Sequence, residues 1–289
     1  MPETFPGAIA ALPPLRETIT TYGLAAKKAL GQHFLLDLNL TGRIARAAGD
    51  ITSGTVIEVG PGPGGLTRAL LIAGARRVIA IERDARCIEA LQPLRDAARG
   101  RLEIIEADAR TLDFDCLGDA PRRLVSNLPY NVGTHLLVGW LIGTDSITGM
   151  TLMFQREVAD RIVARAGDPA YGRLSVLANW RCQTERIFNV PARAFTPPPR
   201  VDSAVVSLTP YTNLPHPVDR EALQKVTAAA FGQRRKMLRA ALKGLVRDPA
   251  GLLDSAGITA TARAETIDIA GFAALARAYQ ASRANHDLI

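Results

Sequence analysis

The sequence contains few of the residues on which disulfide-bonded or metal-binding proteins depend. Among 289 residues there are three cysteines, Cys87, Cys116 and Cys182. They lie far apart, form no C-x-x-C pair and are odd in number, which argues against a disulfide framework and against structural zinc. We therefore expect a reducing compartment, cysteines that serve as packing residues, and no bound metal.

Long apolar runs and targeting segments are also absent from the sequence. No run approaches the roughly 18–20 apolar residues of a membrane span. The first 25 residues contain Glu3 and Glu17, few basic residues and no basic stretch followed by an apolar one. This composition argues against a secretory signal and a transit peptide. The sequence therefore predicts a cytoplasmic protein that makes no membrane contact.

The chain does contain an excess of positive charge and enough apolar residues for a sizeable core. Lys and Arg outnumber Asp and Glu by 35 to 28, a net charge of +7, and 47% of the residues are hydrophobic. These values describe an ordinary globular chain with room for one large domain and one smaller one. The positive charge favours a polyanionic partner without identifying it.

Short apolar, β-branched runs alternate with segments of helical spacing. This rhythm predicts an α/β fold with a doubly wound, mostly parallel, Rossmann-like sheet, which binds ligands beyond the carboxyl ends of its strands. The predicted strands are 55–59, 78–81, 102–105, 124–126 and 150–154, with two further strands at 174–180 and 201–208. The predicted helices are 40–48, 66–73, 85–94, 134–142 and 157–165.

The composition changes toward the C-terminus. A stretch punctuated by prolines, 211–217, precedes an Ala-, Leu- and Arg-rich segment that has helical spacing and no strand-like run. The sequence therefore predicts three regions. They are an N-terminal extension (1–26), the α/β domain (27–212) and a small all-helical domain (213–289).

A glycine-rich turn follows the first predicted strand. Gly60, Gly62 and Gly65 match the G-x-G-x-x-G pattern, which several nucleotide-like ligands share. Glu58 precedes them, and this acidic-x-Gly-x-Gly-x-Gly arrangement resembles the S-adenosylmethionine (SAM) loop of methyltransferases more than a pyrophosphate loop. SAM has no phosphates and is cationic, so carbonyl groups and a carboxylate suit it better than an array of N–H donors. Glu58 itself can contact the ligand or order the loop from below.

Two acidic residues end the next two predicted strands. Glu82 lies 22 residues beyond Gly60, where a carboxylate can accept hydrogen bonds from both ribose hydroxyls, in NAD and SAM sites alike. Asp108 ends the third strand, where its carboxylate can accept from the adenine amine of the cofactor. A dehydrogenase would also need a proton relay or a substrate-carboxylate clamp, and residues 127–130 offer neither.

Asn127, Leu128, Pro129 and Tyr130 follow the fourth predicted strand. The exocyclic amine of adenine is a poor nucleophile, because its lone pair is delocalised into the ring. Carbonyl acceptors from the Asn127 side chain and the Leu128–Pro129 backbone can take both N–H groups and favour a pyramidal nitrogen, while Tyr130 stacks on the base. These four residues form the predicted catalytic site; the alternative is a strand-end turn with a buried tyrosine.

Five separated blocks share their order and spacing with a known family. Through them the chain resembles the ribosomal RNA adenine N6,N6-dimethyltransferases, which act on two adjacent adenosines near the 3′ end of small-subunit rRNA. Each block is modest evidence by itself, but the set is specific. The blocks are 27–35 (KKALGQHFL), 58–65 (EVGPGPGG), 127–131 (NLPYN), 195–203 (FTPPPRVDS) and 231–238 (FGQRRKML).

The resemblance implies SAM as the methyl donor and assigns residues to it. In this family the third and fifth positions of the G-Q-x-F-L block contact the cofactor; the third is usually Asn and here is His33. The implied SAM site comprises His33, Leu35, Gly60, Gly62, Glu82, Asp108 and Asn127.

The resemblance also implies how the target base is held. Asn127 and Tyr130 match the positions that receive the base. Phe195 matches a second stacking partner on its opposite face, so that it joins residues 127–130 in the predicted catalytic site. The alternative for Phe195 is a core residue that anchors a proline-rich loop.

The segment 231–247 has six basic residues and no acidic one. Arginines and a lysine recur every four residues from 235 to 247, which predicts a basic stripe along one helix face. Such a stripe is typical of phosphate contact, although a solvated helix face is the alternative. The predicted RNA-binding residues are Arg234, Arg235, Lys236, Arg239, Lys243 and Arg247.

Together with the resemblance, these features predict a monomeric rRNA adenine dimethyltransferase that acts on the small ribosomal subunit or its precursor during ribosome biogenesis. Two alternatives stay open. One is the related adenine methylase of large-subunit rRNA that gives macrolide resistance, and the other is a nucleic-acid-binding factor on the same fold. Blocks 127–131 and 231–238 favour the first reading, and the intact glycine loop with Glu82 argues against lost catalysis.

Overall fold

The computed structural model describes residues 5–24 and 33–284. Residues 27–32, which open the first sequence block, lie outside the described residues, and so do the two ends of the predicted N-terminal extension, 1–4 and 25–26. His33 and Leu35 of the first block are described.

The chain divides into two compact units. The first comprises the residues up to Ala159 together with Glu185–Thr209, and the second comprises Asp160–Thr184 together with the residues from Pro210 onward. The second division falls close to the boundary predicted near residue 212. The units differ from the predicted regions in two places: residues 160–184 fall in the second unit, and residues 5–24 of the predicted N-terminal extension are grouped with the first unit, where Ile9 enters the core.

The sequence prediction assigned residues 160–184 to the α/β domain and made 174–180 a strand, whereas the structure groups them with the second unit and forms a helix, Arg173–Arg181. The N–H of Gly172 bonds to Ser175 Oγ at 3.0 Å as the helix begins. Every residue from Ser175 to Arg181 is buried. A helix buried on all sides has no polar face, so its apolar run cannot be distinguished from a strand by periodicity.

The first unit is built around a seven-stranded sheet. The strands of the described residues are β1 (Phe34–Leu35), β2 (Thr55–Val59), β3 (Val78–Glu82), β4 (Leu102–Glu106), β5 (Arg122–Asn127), β6 (Ile147–Gln155), β7 (Cys182–Val190), β8 (Phe195–Thr196) and β9 (Ser203–Pro210). The order in the sheet is β4-β3-β2-β5-β6-β9-β7. The first five of these run parallel, β9 is antiparallel to β6, and β1 pairs separately with β8.

The buried strands explain why the sheet was predictable. Every residue of β2 and β3 is buried. Parallel strands covered on both faces read as continuous Val- and Ile-rich runs, and these are the runs that the sequence shows. The predicted fold class, a doubly wound and mostly parallel α/β sheet, is confirmed.

Among the described residues, three α-helices of the first unit precede β2, and three more each follow one of the predicted strands. They are α1 (Phe5–Ala10), α2 (Leu15–Thr21), α3 (Leu38–Ala47), α4 (Gly65–Ile72), α5 (Ala85–Ala97) and α6 (Gly133–Gly143). Helix α4 packs against α3, and α1 packs against both α4 and α5. Side chains from these helices and from the strands share one core, which includes Ile9, Ile44, Leu70 and Leu91.

The strand order creates a switch point beside β2. The chain passes from β2 to β3 on one side, and β5 later pairs with β2 on the other. At such a point the connections leave in opposite directions, so a crevice opens beyond the carboxyl ends of the two strands. Gly60 follows β2 directly and Asn127 ends β5, which places both predicted ligand-binding segments at this crevice.

The second unit is helical. Helix α7 (Arg156–Val163) contains the point of division, and it is followed by α8 (Arg173–Arg181), α9 (Arg220–Gly232), α10 (Leu238–Ala241), α11 (Pro249–Ser255) and α12 (Ile269–Ala284). Helix α9 packs against both α8 and α12. Phe231 at the end of α9 stacks on Phe272 of α12 with ring centroids 5.5 Å apart.

Within residues 5–24 and 33–284, no helix is long and apolar enough to cross a membrane. In the same residues, no three His, Cys, Asp or Glu side chains are grouped so that they could hold a metal ion. Cys87 and Cys182 are buried as expected of packing residues, whereas Cys116 is exposed.

Candidate active site

A cavity of about 140 Å³ lies at the carboxyl ends of β2, β3 and β5, beside β1. Its lining joins four segments that are distant in the sequence. The predicted site residues that line it are His33, Leu35, Gly60, Gly62, Glu82, Asn127, Leu128, Pro129 and Tyr130. Asp108 and Phe195 are predicted site residues that do not line it.

The glycine loop, residues 60–64, has no free N–H group for a ligand phosphate. Its two prolines have no N–H. The glycine N–H groups are bonded within the unit, Gly60 to the Ile81 carbonyl (2.9 Å), Gly62 to Glu82 Oε2 (3.3 Å) and Gly64 to the Pro61 carbonyl (3.0 Å). A pyrophosphate site depends on such donors. Residues 60–64 therefore offer no donor to a phosphate, which fits a nucleoside without phosphates.

Two glycines allow close approaches that shape the cavity. Gly62 has a φ of +55°, and a Cβ there would lie 3.0 Å from the ring of Phe34. A Cβ on Gly60 would lie 3.4 Å from the ring of Pro129. Because neither carries a side chain, Phe34 of β1 and the turn after β5 can both lie against the loop.

Glu82 presents a buried, fixed carboxylate to the cavity. Its Oε1 accepts the N–H groups of Arg83 (2.8 Å) and Asp84 (3.0 Å), and Oε2 accepts that of Gly62 (3.3 Å). Burial raises the pKa of Glu82, and the three backbone N–H groups oppose that rise. A carboxylate held in this way has further lone pairs with which to accept a ribose diol.

Glu58 connects the loop to the helix behind it. The Thr67 hydroxyl of α4 donates to Glu58 Oε2 at 2.7 Å, and the glutamate is 1% exposed. Burial raises the pKa of Glu58 to about 8, while the Thr67 bond lowers it. Of the two roles that the sequence left open, this geometry favours the one in which Glu58 orders the loop.

Asp108 follows β4, where it caps the short turn Ala109–Thr111 through the N–H of Arg110 at 3.0 Å. The Arg110 guanidinium bonds to its carboxylate at 2.5 Å, and Arg83 lies 3.6 Å away. The bond from Arg110 holds the pKa of Asp108 far below its usual range. Since Asp108 does not line the cavity and its carboxylate is engaged by Arg110 and Arg83, contact with a cofactor amine stays a prediction.

The turn after β5 leaves two acceptors open. Asn127 Nδ2 donates to the His33 carbonyl at 3.2 Å, and no group of the described residues donates to Asn127 Oδ1. The Pro129 carbonyl accepts two N–H groups at the start of α6, at 3.2 and 2.9 Å. The sequence prediction used both backbone carbonyls of Leu128 and Pro129, but helix formation engages the second. The acceptors left for an amine are Asn127 Oδ1 and the Leu128 carbonyl.

Tyr130 is held by contacts that the sequence analysis did not predict. Its hydroxyl oxygen lies 2.5 Å from Ser203 Oγ, and its ring centroid lies 5.4 Å from that of His33. Burial raises the pKa of Tyr130, which keeps the phenol neutral. Ser203 is the last residue of block 195–203, which is the one hint in the sequence of this contact. A serine at the start of a strand forms no distinctive pattern, so its bond to Tyr130 could not be predicted.

Phe195 lies away from the cavity. Strand β8 pairs with β1 so that Phe195 stands opposite Leu35. Directly opposed residues in an antiparallel pair share a face, and both side chains enter the same core, where Phe195 is 3% exposed. The predicted stacking of Phe195 on the base has no support in this geometry, which matches the alternative of a core anchor.

The basic segment is not one helix, so the predicted stripe is wrong. Helix α9 ends at Gly232, residues 233–237 form an exposed turn, and α10 begins at Leu238, whose N–H bonds to the Ala262 carbonyl at 2.8 Å. Regular charge spacing carries no information on where a helix ends.

The six predicted RNA-binding residues fall into two groups. Arg234 donates to the Pro169 carbonyl at 2.6 Å and pairs with Glu265 at 3.3 Å. The other five are exposed and take part in no ion pair within the described part of the chain; they are Arg235, Lys236, Arg239, Lys243 and Arg247. Arg234 therefore has a structural partner, whereas the others face solvent.

Fold and site together define a class of protein. The sheet is doubly wound, and the glycine loop after β2 lacks free N–H groups. A buried carboxylate, Glu82, ends β3, and open amide and carbonyl acceptors lie at the end of β5. This is the arrangement of a SAM-dependent methyltransferase. Residues 23–281 match the family described as ribosomal RNA adenine dimethylase. The chain belongs to this family.

Two relatives carry the name ribosomal RNA small subunit methyltransferase A. The protein of Rhodospirillum rubrum is 60% identical over 271 residues, covering 94% of each chain. The protein of Paramagnetospirillum magneticum is 60% identical over 273 residues, covering 94% of this chain and 97% of its own. These likenesses span nearly the whole sequence, including both compact units.

Two solved structures share the fold. A dimethyladenosine transferase from Plasmodium falciparum has a TM-score of 0.70 at 26% identity, covering 84% of this chain and 96% of that one. The 23S rRNA methyltransferase ErmE has a TM-score of 0.65 at 27% identity, covering 86% and 99%.

The residues present fit SAM, the methyl donor of this family. The cavity is lined by two buried acidic side chains, Glu82 and the largely protonated Glu58, and its glycine loop offers no phosphate-binding N–H. A cationic, phosphate-free nucleoside suits such a lining. The predicted cofactor, SAM, is confirmed. The geometry of the Glu82 carboxylate suits the ribose of such a ligand.

Proposed function

We propose that this chain dimethylates N6 of two adjacent adenosines near the 3′ end of small-subunit rRNA, with SAM as methyl donor, during assembly of the small ribosomal subunit. The observation that carries the proposal is the pair of open acceptors, Asn127 Oδ1 and the Leu128 carbonyl, beside the glycine loop. Identity of 60% to proteins named for the small subunit supports the choice of substrate.

The acceptors supply the chemistry that an adenine amine requires. An N–H that donates to Asn127 Oδ1 and another that donates to the Leu128 carbonyl place the nitrogen and favour its pyramidal form, in which the lone pair is available. Bound SAM supplies an electrophilic methyl group. The protein contributes position and electrostatics, and a strong base is unnecessary because the alkylated amine loses its proton readily.

Tyr130 provides the stacking face for a base that has left the RNA stack. Unstacking costs a few kcal/mol, and stacking on an aromatic ring offsets part of that cost. Phe195 is not part of this proposal, because it is a core residue. The proposed cofactor contacts are His33, Leu35, Gly60, Gly62, Glu82, Asp108 and Asn127.

The second unit is proposed to contact the RNA backbone. Its exposed cations include the turn residues Arg235 and Lys236 and, farther along, Arg239, Lys243 and Arg247. Unpaired Lys and Arg side chains neutralise phosphates and release counterions. The α/β unit then binds SAM and the target base, and the helical unit binds the RNA backbone. We propose further that the enzyme is a monomer and that it acts in the cytoplasm.

The likeness to a 23S rRNA methyltransferase raises large-subunit RNA as an alternative substrate. A methyl-transfer assay decides between the two substrates. Small subunits that lack the modification and large-subunit RNA are offered in separate reactions, and the methylated nucleosides are mapped by mass spectrometry. We expect two dimethylated adenosines in small subunits. Transfer confined to large-subunit RNA, or SAM binding without any transfer, would contradict the proposal.

A further inference from the structure

His33 makes three contacts within the first unit. Its backbone carbonyl accepts from Asn127 Nδ2 at 3.2 Å. Its Nδ1 donates to the Pro197 carbonyl at 2.8 Å, and its ring centroid lies 5.4 Å from that of Tyr130, with 30° between the planes. One side-chain contact therefore goes to Tyr130, which lines the cavity, and the other anchors the imidazole to the Pro197 carbonyl.

We propose that the imidazole of His33 is a positioning residue, which fixes the ring plane of Tyr130 and thereby the orientation of the target adenine. This inference rests on the proposed function. It differs from the cofactor contact that the family resemblance implies for the same position, because it concerns the ring. An Asn, the residue usual in the family, can keep the backbone contact but cannot pack a ring against Tyr130.

The bond to Ser203 cannot by itself set the plane of the Tyr130 ring. The two oxygens lie 2.5 Å apart, and Ser203 is fully buried at the start of β9. Rotation about the Cγ–Cζ axis of a tyrosine leaves its hydroxyl oxygen in place, so this bond fixes the tip of the ring and leaves its plane free. A second ring packed on the first opposes that rotation, and stacking with a base depends on the plane.

The imidazole is itself held by stiff surroundings. Strands β1 and β8 pair with Phe34 opposite Thr196, so His33 comes next to Pro197. Three consecutive prolines, 197–199, restrict the backbone that carries the accepting carbonyl. A ring bonded to a restricted carbonyl is well placed to restrain its neighbour.

This role should matter more in the second methyl transfer than in the first. Adenine brings two N–H groups to the open acceptors, Asn127 Oδ1 and the Leu128 carbonyl, whereas N6-methyladenine brings one. With one hydrogen bond fewer, orientation depends more on stacking against Tyr130. Without the His33 ring, monomethylated adenosine should accumulate.

Three variants separate the ring from the rest of the residue. His33→Asn removes the ring but keeps the backbone carbonyl and a polar side chain, and His33→Phe restores a ring without the Nδ1 donor. His135→Asn, at an exposed histidine of α6, is the matched control. Single-turnover methylation of unmodified small subunits gives the two transfer rates, and calorimetry gives the Kd for SAM.

We expect His33→Asn to slow the second transfer about tenfold and the first about threefold, with the Kd for SAM within about twofold of wild type. His33→Phe should recover most of the second rate, and His135→Asn should match wild type. Equal mono- to dimethyl ratios in His33→Asn and wild type would overturn the inference. So would a Kd for SAM that weakens in parallel with both rates, since His33 would then act on the cofactor.

The motion of the Tyr130 ring gives a readout that needs no activity. In protein with ¹³C-labelled tyrosine rings, the Tyr130 signal is assigned by its loss in Tyr130→Phe. The ring should flip slowly in wild type and faster in His33→Asn, and unchanged flipping would overturn the inference. If wild type does not dimethylate small subunits, the proposed function fails, and this measurement still decides the role of His33.

Discussion

The proposed cofactor side and the proposed base side of the cavity are built in opposite ways. On the cofactor side, Glu82 accepts three backbone N–H groups, and every N–H of the loop 60–64 is bonded. On the base side, Asn127 Oδ1 and the Leu128 carbonyl accept no hydrogen bond from the described residues. The first side is preorganised for one ligand, and the second can serve a substrate that returns with one N–H fewer. Affinity for SAM and rate of transfer should therefore be separable.

The largest effect is expected from Asn127→Ala, which removes an open acceptor on the base side. The single-turnover rate should fall about 100-fold or more, as happens when one preorganised hydrogen-bonding group is lost from a transition state. Circular dichroism should show the fold intact. A rate within about tenfold of wild type would refute the role of Asn127 as an amine acceptor.

Glu82→Gln tests the cofactor side. Its Kd for SAM should rise about 10- to 100-fold, because a charged acceptor for the ribose is lost, while the rate at saturating SAM changes little. Glu103→Gln, at an exposed glutamate of β4 paired with Arg77 at 2.7 Å, is the control and should leave both unchanged. A slower reaction with unchanged Kd would reverse the comparison between the two sides.

Gly62→Ala tests the rigidity of the loop. Its positive φ and its contact with Phe34 should lower the free energy of unfolding by about 1–2 kcal/mol. Gly139→Ala is the matched control, since its Cβ would meet no atom within 4 Å on helix α6. There the change should raise stability by about 0.5–1 kcal/mol. Urea unfolding measures both, and equal effects would show that Gly62 is unconstrained.

Glu58 gives the cofactor side a dependence on pH. Burial raises the pKa of Glu58 to about 8 in the folded protein, against about 4.3 in an unfolded chain. Between about pH 4.3 and pH 8 the folded state holds a proton that the unfolded chain has lost. The contribution of Glu58 to the free energy of unfolding is therefore fully present below about pH 4.3 and is lost as pH rises toward 8. The slope from this group is about −1.4 kcal/mol per pH unit at most. Glu58→Gln should flatten the urea-unfolding profile, and an unchanged profile would contradict the assignment.

The smallest effect is expected outside the cavity. Arg239→Ala should weaken binding to small subunits about threefold and lower the slope of log affinity against log salt by about one. Arg234→Ala should leave the salt slope unchanged, because Arg234 is bonded to Pro169 and Glu265. Filter binding at several salt concentrations measures both. Equal salt slopes in the two variants would show that Arg239 does not contact an RNA phosphate.

The sheet and its rim were predictable because their signals are local. A buried parallel strand is a β-branched run, and a run that stops at glycine, Glu82 or Asn127 marks its own carboxyl end. Parallel strands bring those ends to one edge, so the ligand-binding segments follow from order alone. The same reasoning gave a wrong prediction for the helix Arg173–Arg181. A helix that is buried on all sides shows no hydrophobic periodicity that distinguishes it from a strand.

The sequence by itself determined the five parallel strands of the sheet, the glycine loop and the turn that offers acceptors to an amine, because the signal for each lies in residues adjacent in the chain. Only the tertiary structure decided what surrounds them. The register of β1 with β8 buries Phe195 and brings His33 to Pro197, and the start of β9 brings Ser203 to Tyr130. These contacts join residues 70 or more positions apart, and a strand pairing between such distant segments leaves no periodic trace in either of them.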